Sequence, residues 1–479
     1  MKLNKKLRNC PEFFCLMKIG DFLNNNVYIL SRFVVRRRIM QKISSKKICE
    51  VVGSKSEVTE VDIENIVTDS RAIKNGDLFI AIKGEKNDGH DYVAEVFDRG
   101  AALAIVEHLV EDAPADKQVV VESCIKAYGA LGAYNRKQFK GKVIGLTGSA
   151  GKTTTKEEIK FALSQFGKVY ATNGNFNNHI GVPATLCKMD MDADYAIIEM
   201  GMSAKGEIEE LVSYVQPDVA IVTNVYPMHI EFFDNFEGIA EAKAEIFKSL
   251  KKGGLAIINE DTNFADLLEK RALESGAKVV KFGKNNHPKV ELDLKDKGEH
   301  NYYNAWCVLS LIKELELDVK ATAEHLSEFG ALPGRGAKYE LKLPIGGSYT
   351  LIDDSYSGQP EAMILAIETL DRLPSVGRKI VVLGKMAELG ASSKARHIEV
   401  GEVVAKSSVD VVIGVCEEMK DMLAQLPKNK EQYYFENKEG LGEFLLNKLL
   451  QNNDIVLIKG ARYSSKLYQV TENLLEKGK

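Results

Sequence analysis

Short apolar runs rich in Val and Ile recur along most of the chain, and polar turns and stretches with helical spacing separate them. In the middle of the sequence these runs occupy 143–147, 169–172, 194–201, 219–224 and 255–259. In the last third they occupy 349–354, 379–384, 411–415 and 455–460. Continuous apolar runs that alternate with helices are typical of parallel strands buried on both faces. The pattern therefore predicts an α/β protein built on mostly parallel sheets.

A chain of 479 residues can hold two to four domains. We predict a small N-terminal α/β domain over 40–137, a central parallel-sheet domain over 138–336 and a Rossmann-like domain over 337–479. The last domain has no G-x-G-x-x-G after its first strand, so dinucleotide binding is not supported. The Pro- and Gly-containing stretch 332–336 suits a hinge between the last two domains.

Residues 1–39 differ in composition from everything that follows. They contain nine Lys or Arg against two acidic residues. A targeting segment is one interpretation, although a clean apolar core with a small-residue cleavage site is missing. A helix lying on a membrane surface is a second. We favour a third interpretation, a start codon assigned too early with Met40 as the true beginning, and we leave this basic extension out of the fold.

Composition excludes several classes of function. The net charge of −4 is not that of a nucleic-acid-binding protein. The seven cysteines are odd in number and scattered without a C-x-x-C, which favours free thiols in the cytoplasm over disulfides or a zinc site. No apolar run reaches about 18 residues, so we expect no membrane span.

The stretch 147–154 reads Thr-Gly-Ser-Ala-Gly-Lys-Thr-Thr and follows an apolar strand. Glycines let backbone N–H groups converge on phosphate oxygens, and a helix N-terminus favours negative charge. A lysine in this position reaches the terminal phosphates, and the next hydroxyl can bind Mg²⁺. Leu146 stands where the general nucleotide loop has a glycine, so the motif is the narrower Thr-Gly-x-x-Gly-Lys-Thr form. We expect the phosphates of a nucleotide to contact Gly148, Ser149, Ala150, Gly151, Lys152, Thr153 and Thr154, with a helical pattern opening at Lys156.

An acidic residue, Glu199, lies at the end of the predicted strand 194–201. Carboxylates at strand ends beside a phosphate loop are suited to Mg²⁺, which prefers oxygen ligands. A glutamate at the edge of the core is the alternative. Taken alone, His229 is typical of a strand-end histidine and Lys243 of a solvated helix lysine. The loop 83–92, which carries Asp88 and His90, suits either an anionic, hydroxylated ligand or plain solvent.

Together these motifs resemble the Mur ligases of peptidoglycan synthesis over about residues 55–479. The resemblance rests on an ordered series of segments at 147–154, 174–183, 199–201, 224–229, 243–247, 300–305, 334–335, 353–356 and 384–390. The last two segments are most similar to the member that adds a dipeptide. The resemblance implies an ATP-dependent amide ligase that catalyses the final cytoplasmic step of the peptidoglycan pentapeptide precursor. Its implied substrates are UDP-N-acetylmuramoyl-tripeptide and D-alanyl-D-alanine, and we expect it to be a monomer.

The family resemblance also implies roles at the reaction centre. Lys152 and Thr153 would contact the ATP phosphates and a first Mg²⁺, with Glu199 as its carboxylate ligand. His229 would bind a second Mg²⁺. Lys243 would be carbamylated by CO₂, which turns a cation into an anionic group suited to a metal site. Lys152, His229, Lys243 and, at the γ-phosphate, Arg335 are the expected catalytic residues.

Further residues are assigned to substrates by the same resemblance. Asn301 and Asp354 would hold the adenine and the ribose. Ser70 and Arg71, with Asp88 and His90, would form the pocket for the UDP end of the acceptor, which makes the N-terminal domain the UDP-binding one. Asn177 and Asn178, in the motif 174–183, would also contact substrate.

Two departures from the family pattern and two rival functions remain open at this stage. Ala150 replaces the usual Asn, and 356–360 reads Tyr-Ser-Gly-Gln-Pro where Tyr-Asn-Ala-Asn-Pro is usual. The Asp-Asn-Pro-Arg motif of the diaminopimelate-adding relative is absent. The nearest rival is another ligase of the superfamily, such as a folylpolyglutamate-type enzyme. A nucleotide-gated ATPase switch without ligase activity is a rival from a different class.

Overall fold

The computed structural model describes residues 42–84, 87–228, 230–295, 297–387 and 389–478. The basic extension 1–39 lies outside the described residues. Within them, three parallel or mostly parallel sheets are surrounded by helices, so the predicted α/β class is confirmed. No helix of the described chain is both long and apolar enough to cross a membrane.

The strands are numbered here in chain order. The N-terminal part contains β1 (Ile43–Ser44), β2 (Asp62–Ile63), β3 (Ile66–Val67), β4 (Leu78–Ile80), β5 (Leu103–Val106) and β6 (Gln118–Val120). The middle contains β7 (Lys142–Thr147), β8 (Val169–Ala171), β9 (Tyr195–Glu199), β10 (Val219–Val222), β11 (Leu255–Asn259) and β12 (Lys278–Phe282). The last part contains β13 (Ala337–Lys342), β14 (Ser348–Asp354), β15 (Lys379–Gly384), β16 (Val411–Val415), β17 (Glu431–Phe435) and β18 (Ile455–Lys459).

The α-helices before the last sheet are α1 (Ser45–Val52), α2 (Val93–Asp98), α3 (Cys124–Gln138), α4 (Lys152–Leu163), α5 (Gly181–Cys187), α6 (Glu207–Val215), α7 (Phe236–Ala244), α8 (Ala265–Glu274), α9 (Glu299–Glu314) and α10 (Val319–Leu326). Those of the last part are α11 (Pro360–Arg372), α12 (Ser393–Lys406), α13 (Met419–Leu423), α14 (Leu441–Phe444), α15 (Arg462–Ser465) and α16 (Tyr468–Lys477). Short 3-10 turns connect several of them, including Ser70–Ala72 and Gly89–Tyr92.

The central sheet has the strand order β12-β11-β10-β7-β9-β8, and all its neighbours run parallel. Its middle strand β7 lies between β9 and β10, so Thr147, Glu199 and Val222 end at the same edge of the sheet. Side chains such as Ile198 and Ile197 point to opposite faces and join two separate hydrophobic cores. This geometry brings the phosphate loop, which follows β7, next to the end of β9.

The last sheet has the order β13-β14-β18-β15-β16-β17, with only the β13–β14 pair antiparallel. In the N-terminal part, β3 to β6 form a four-stranded parallel sheet. Helix α3 joins this part to the central sheet, because Arg136 Nε and Nη2 donate to the carbonyls of Val215 and Gln216 at 2.8 and 2.9 Å. The exact domain limits proposed from the sequence stay a prediction.

Candidate active site

The phosphate loop is held by residues that follow β10. Ser149 N–H donates to Asn224 O at 3.0 Å, and Ala150 N–H donates to Asn224 Oδ1 at 2.7 Å. The Ala150 carbonyl accepts from Thr223 Oγ1 and from Asn224 Nδ2. Gly148 is required here because a Cβ atom would lie 1.9 Å from Thr223 Oγ1. Ala150, which replaces the Asn expected from the family resemblance, is therefore held through its backbone N–H and carbonyl groups.

Helix α4 begins at Lys152, four residues before the helical pattern that the sequence suggested. Gly151 makes the early start possible, because its φ of 74° lies in the left-handed region that favours glycine. The first N–H groups of a helix have no partner within the helix, so those of α4 point toward the loop and favour an anion. The loop and the helix N-terminus have the geometry of a phosphate cradle, and phosphate binding there stays a prediction.

Lys152 is folded over the loop. Its Nζ donates to the carbonyls of Gly148 at 2.8 Å and Ser149 at 3.4 Å. Burial lowers the pKa of Lys152, Glu199 acts in the opposite direction, and Arg335 lowers it further.

Glu199 is the centre of a buried polar cluster. Its Oε1 accepts from Thr153 Oγ1 at 3.2 Å and from Asn177 Nδ2 at 2.8 Å. Its Oε2 is buried without a hydrogen-bond partner in the described chain, and Lys156 Nζ lies 3.8 Å away. A buried carboxylate oxygen without a partner is costly unless a further group completes it. Glu199 is only 1 % exposed, so this group would have to enter from the cleft.

Arg335, in the segment 332–336 that precedes β13, reaches this cluster. Its Nη2 donates to Thr153 Oγ1 at 3.0 Å, and its guanidinium lies 4.1 Å from the centre of the Tyr356 ring. Nearby, Lys459 Nζ donates to Asp354 Oδ2 at 2.6 Å. Burial raises the pKa of Asp354, and the positive charges of Lys459 and Arg335 oppose that shift.

Lys243 is 2 % exposed on helix α7, which contradicts the plain expectation of a solvated helix lysine. Burial, with the nearby charge of Lys152, holds the pKa of Lys243 well below that of an ordinary lysine. A neutral, nucleophilic amine is the form that such burial favours. His229, the second residue of this predicted metal site, lies outside the described residues.

A cleft of about 1080 Å³ connects these groups. Among the predicted residues, its lining includes Ser149, Ala150, Gly151, Lys152, Thr153, Thr154, Asn177, Glu199, Asn301, Arg335 and Asp354. The structure therefore places most of the described residues predicted for ATP and metal along one cleft, whereas Gly148 and Lys243 are not part of its lining. Within the described residues, no group of three or more His, Cys, Asp or Glu forms a ready-made metal site.

The residues predicted for the UDP end do not line this cleft. Arg71 forms a bidentate pair with Asp69, and hydrogen bonds from Arg71 lower the pKa of Asp69 to about 2. Ser70 lies in the same short turn. Asn178 Oδ1 accepts from the N–H groups of Ile180 and Gly181 and so caps the start of α5.

His90 is buried and both its ring nitrogens are engaged. Nδ1 lies 2.6 Å from Asp88 Oδ1, and Nε2 accepts from Glu107 N–H at 2.9 Å. The ring is therefore the Nδ1–H tautomer, stacked on His108 at 4.5 Å. This geometry shapes the loop, and a direct contact of His90 with substrate stays a prediction.

Sequence reasoning missed several residues of the cluster. Lys156 Nζ donates to the carbonyls of Thr172 and Gly174 at 2.7 and 3.0 Å, which ties α4 to the loop carrying Asn177. Asn304 Oδ1 accepts from Thr155 Oγ1 at 3.1 Å and so joins α9 to α4. The spacing of Asn304 three residues after Asn301 was the one available signal, because both fall on one helix face.

Three family models match consecutive parts of the chain. Residues 62–136 match the Mur ligase family, catalytic domain; residues 146–326 match the Mur ligase middle domain; and residues 342–462 match the Mur ligase, glutamate ligase domain. The central match contains the phosphate loop, Glu199 and Lys243.

Individual proteins are similar over most of their length. The UDP-N-acetylmuramoyl-tripeptide--D-alanyl-D-alanine ligase of Rickettsia prowazekii is 34% identical over 84% of this chain and 93% of its own. The crystal structure of MurF from Acinetobacter baumannii has a TM-score of 0.81 at 29% identity, over 91% of this chain and 100% of that one. MurF ligase from Thermotoga maritima, solved in complex with ADP, has a TM-score of 0.72 at 28% identity, over 86% and 96% of the two chains.

Proposed function

Since the chain belongs to the Mur ligase family, we propose that it joins D-alanyl-D-alanine to UDP-N-acetylmuramoyl-tripeptide at the expense of ATP. The enzyme is an ATP-dependent ligase of peptidoglycan synthesis. The contact that carries this proposal is the hydrogen bond from Arg335 to Thr153, at 3.0 Å, beside the partnerless Glu199 oxygen. It brings a cation from the segment that precedes β13 to the hydroxyl that follows the phosphate-loop lysine.

A carboxylate is a poor electrophile, so the reaction proceeds through an acyl phosphate. An oxygen of the tripeptide carboxylate attacks the γ-phosphorus of ATP, and the bond to ADP breaks. The amine of D-alanyl-D-alanine then attacks the acyl carbon, loses a proton and expels inorganic phosphate. Lys152 and Arg335 neutralise charge on the transferred phosphoryl group because both lie at the phosphate loop.

We assign Thr153 and Glu199 to Mg²⁺. The donor set fits, because Mg²⁺ is usually bound by one or two carboxylates together with substrate phosphates. Glu199 Oε2 supports the assignment, since it accepts no hydrogen bond in the described chain and lies 3.8 Å from Lys156 Nζ, so that a metal ion would complete its coordination. The metal would polarise the γ-phosphate, while Asn177 orients the carboxylate through its bond to Oε1. A second ion beside His229 is part of the same proposal.

We also propose that Lys243 reacts with CO₂ to form a carbamate. Its burial and lowered pKa support this, because the neutral amine is the nucleophile that CO₂ requires. The amine nitrogen forms a bond to carbon and releases one proton. The product is an anion, which removes the repulsion between Lys243 and the cations Lys152 and Mg²⁺.

The remaining predicted contacts belong to the substrates. Asn301 and Asp354 line the cleft and are proposed to hold adenine and ribose. Ser70, Arg71, Asp88 and His90 are proposed to form the pocket of the UDP end. ATP use and the free described cysteines are suited to the cytoplasm, where we place the reaction.

The rival functions predict other outcomes. The match of 62–136 to the Mur ligase catalytic domain favours the UDP-linked acceptor over a folate. Mass spectrometry of a reaction with ATP, Mg²⁺ and both substrates tests the proposal. We expect the muramoyl tripeptide to gain the mass of the dipeptide less water. If the folded, purified protein does not form this product, the proposed ligase activity is contradicted. A product formed only from folate and glutamate would favour the rival ligase.

A further inference from the structure

Glu158 has a buried carboxyl group, and the proposed reaction assigns no role to it. It lies on α4, is 5 % exposed and lines the cleft. Its Oε2 has no hydrogen-bond partner in the described chain. Such a group costs free energy in the apo protein, so its presence calls for an explanation.

The position of Glu158 follows from the helix that carries it. It lies on the same face of α4 as Thr154 and Thr155, which are four and three residues earlier and also line the cleft. At a rise of about 1.5 Å per residue, it is about 9 Å along the helix from Lys152. Glu158 therefore forms part of the cleft wall beyond the phosphate site, on the side where a nucleotide would continue.

Helix α9 provides the facing wall. Asn301, Asn304 and Cys307 line the cleft at helical spacing, and Asn304 is bonded to Thr155. Cys307 lies one turn further along α9 and also lines the cleft. The amide side chains and Glu158 thus lie along one continuous strip of the cleft.

The surroundings of Glu158 keep its carboxyl group neutral. Burial alone raises its pKa well above the usual value. Of the elements packed on α4, α9 presents the neutral Cys307 thiol, and α10 presents His325, which is stacked on Phe161 at 3.9 Å. Strand β9 ends in Glu199, which is bonded to Thr153 and Asn177. None of these residues donates a hydrogen bond to Glu158.

A neutral carboxylic acid has one donor and one acceptor side by side. Adenine presents the complementary pair, because its 6-amino group donates and the adjacent ring nitrogen accepts. We propose that Glu158 recognises the adenine base of ATP through these two hydrogen bonds, as a specificity residue beyond Asn301. The proposal rests on the use of ATP in the proposed function.

The test measures nucleotide binding without ligation, by calorimetry with Mg²⁺ and without acceptor substrates. ATP is compared with the purine nucleoside triphosphate that lacks the 6-amino group, on the wild type, Glu158→Gln and Glu158→Leu. We expect the wild type to bind ATP about five- to tenfold more tightly than the analogue, which corresponds to one net hydrogen bond. Glu158→Gln keeps a donor and an acceptor and should retain the preference, whereas Glu158→Leu should lose most of it, with Asn301 as the remaining proposed contact to the base.

Thermal unfolding of the apo proteins provides the second measurement. Glu158→Leu should unfold at a higher temperature than the wild type, because an apolar side chain replaces a partnerless buried carboxyl group. Glu274→Gln, an exposed substitution at the end of α8, is the matched control and should change neither measurement.

The outcomes separate this proposal from the proposed function. Equal discrimination by the wild type and Glu158→Leu would overturn the role of Glu158, even if ligation proceeds normally. A less stable Glu158→Leu would also overturn it, since the carboxyl group would then have a structural partner. Loss of ligation with the nucleotide preference intact would contradict the ligase assignment and leave the adenine contact standing.

Discussion

Thr153 Oγ1, in the first turn of helix α4, lies 3.2 Å from Glu199 Oε1 at the end of β9, and α4 follows β7, the neighbour of β9 in the central sheet. This contact places a hydroxyl and a carboxylate beside the phosphate loop, and the second carboxylate oxygen accepts no hydrogen bond in the described chain. The account of the site depends on this pair, because it is where nucleotide, metal and Arg335 would meet.

Glu199→Gln is expected to raise the Mg²⁺ concentration needed for half-maximal ligation by about 10- to 100-fold. The amide keeps the shape but loses the charge that attracts the cation. A Mg²⁺ titration of the initial rate measures this, with the exposed Glu368→Gln as the control. An unchanged Mg²⁺ requirement would remove Glu199 from the metal site.

Lys152→Ala is expected to reduce turnover by at least about a hundredfold, because the phosphoryl group loses a positioned cation. Lys160, also on α4 but half exposed and paired with Glu157, offers the matched control Lys160→Ala. Steady-state rates of phosphate release compare the two variants. Near-wild-type turnover of Lys152→Ala would contradict the assignment of the loop.

Lys243→Ala is expected to be inactive and to recover part of its rate when a short carboxylic acid is added. The acid can occupy the space of the missing carbamate and restore its negative charge. Rates are measured over a series of acetate concentrations, and Lys243→Ala without acetate is the baseline. If Lys243→Ala ligates normally, the carbamate is not required.

Gly358→Ala should reduce stability by about 1–3 kcal/mol, since a Cβ atom there would lie 2.2 Å from Ala461 N. The loop at Gly358 therefore lies directly against the loop at Ala461. Gly84→Ala, whose Cβ would meet its nearest neighbour at 3.5 Å, is the control. Denaturant unfolding measures the free energy of unfolding of both variants and the wild type. If Gly358→Ala is as stable as the wild type, the two loops can move apart without a loss of stability.

His397 is expected to make stability depend on pH. Its Nε2 accepts from Met386 N–H at 3.3 Å, its Nδ1 lies 2.7 Å from Ser393 O, and burial lowers its pKa from 6.5. The unfolded chain therefore binds the proton more readily than the folded one. Stability should be full above about pH 6.5 and fall as the pH is lowered through that value.

The measurement for His397 is the unfolding temperature of the wild type and His397→Gln between about pH 5 and pH 8. The wild type should lose more stability toward acid than the variant, which has no titrating group at this position. Parallel curves for the two proteins would show that His397 does not contribute.

The sequence predicted strands and the phosphate loop well, because continuous apolar runs and glycine-rich turns are local signals. The predicted strands 379–384 and 411–415 agree with β15 and β16 at both ends. Strand β12 was missed because Lys278 and Lys281 interrupt its apolar pattern at the edge of the sheet. Edge strands are exposed on one side, so the pattern of a buried strand is absent.

The partners of the site were harder to predict. The roles of Lys156 and Asn224 depend on contacts with carbonyls 16 and 74 residues away, which no local pattern encodes. Burial of Lys243 was likewise invisible in a helix with alternating charges. The family resemblance supplied its expected role, and the structure adds the physical condition for it, a desolvated amine.

Phosphate release from ATP by the purified protein tests the central claim most directly. The two substrates, UDP-N-acetylmuramoyl-tripeptide and D-alanyl-D-alanine, are added singly and then together, with Mg²⁺ present throughout. We expect sustained release only when both are present, with one dipeptide joined for each phosphate released. Sustained release that needs neither substrate would contradict the ligase account and favour a nucleotide-gated ATPase.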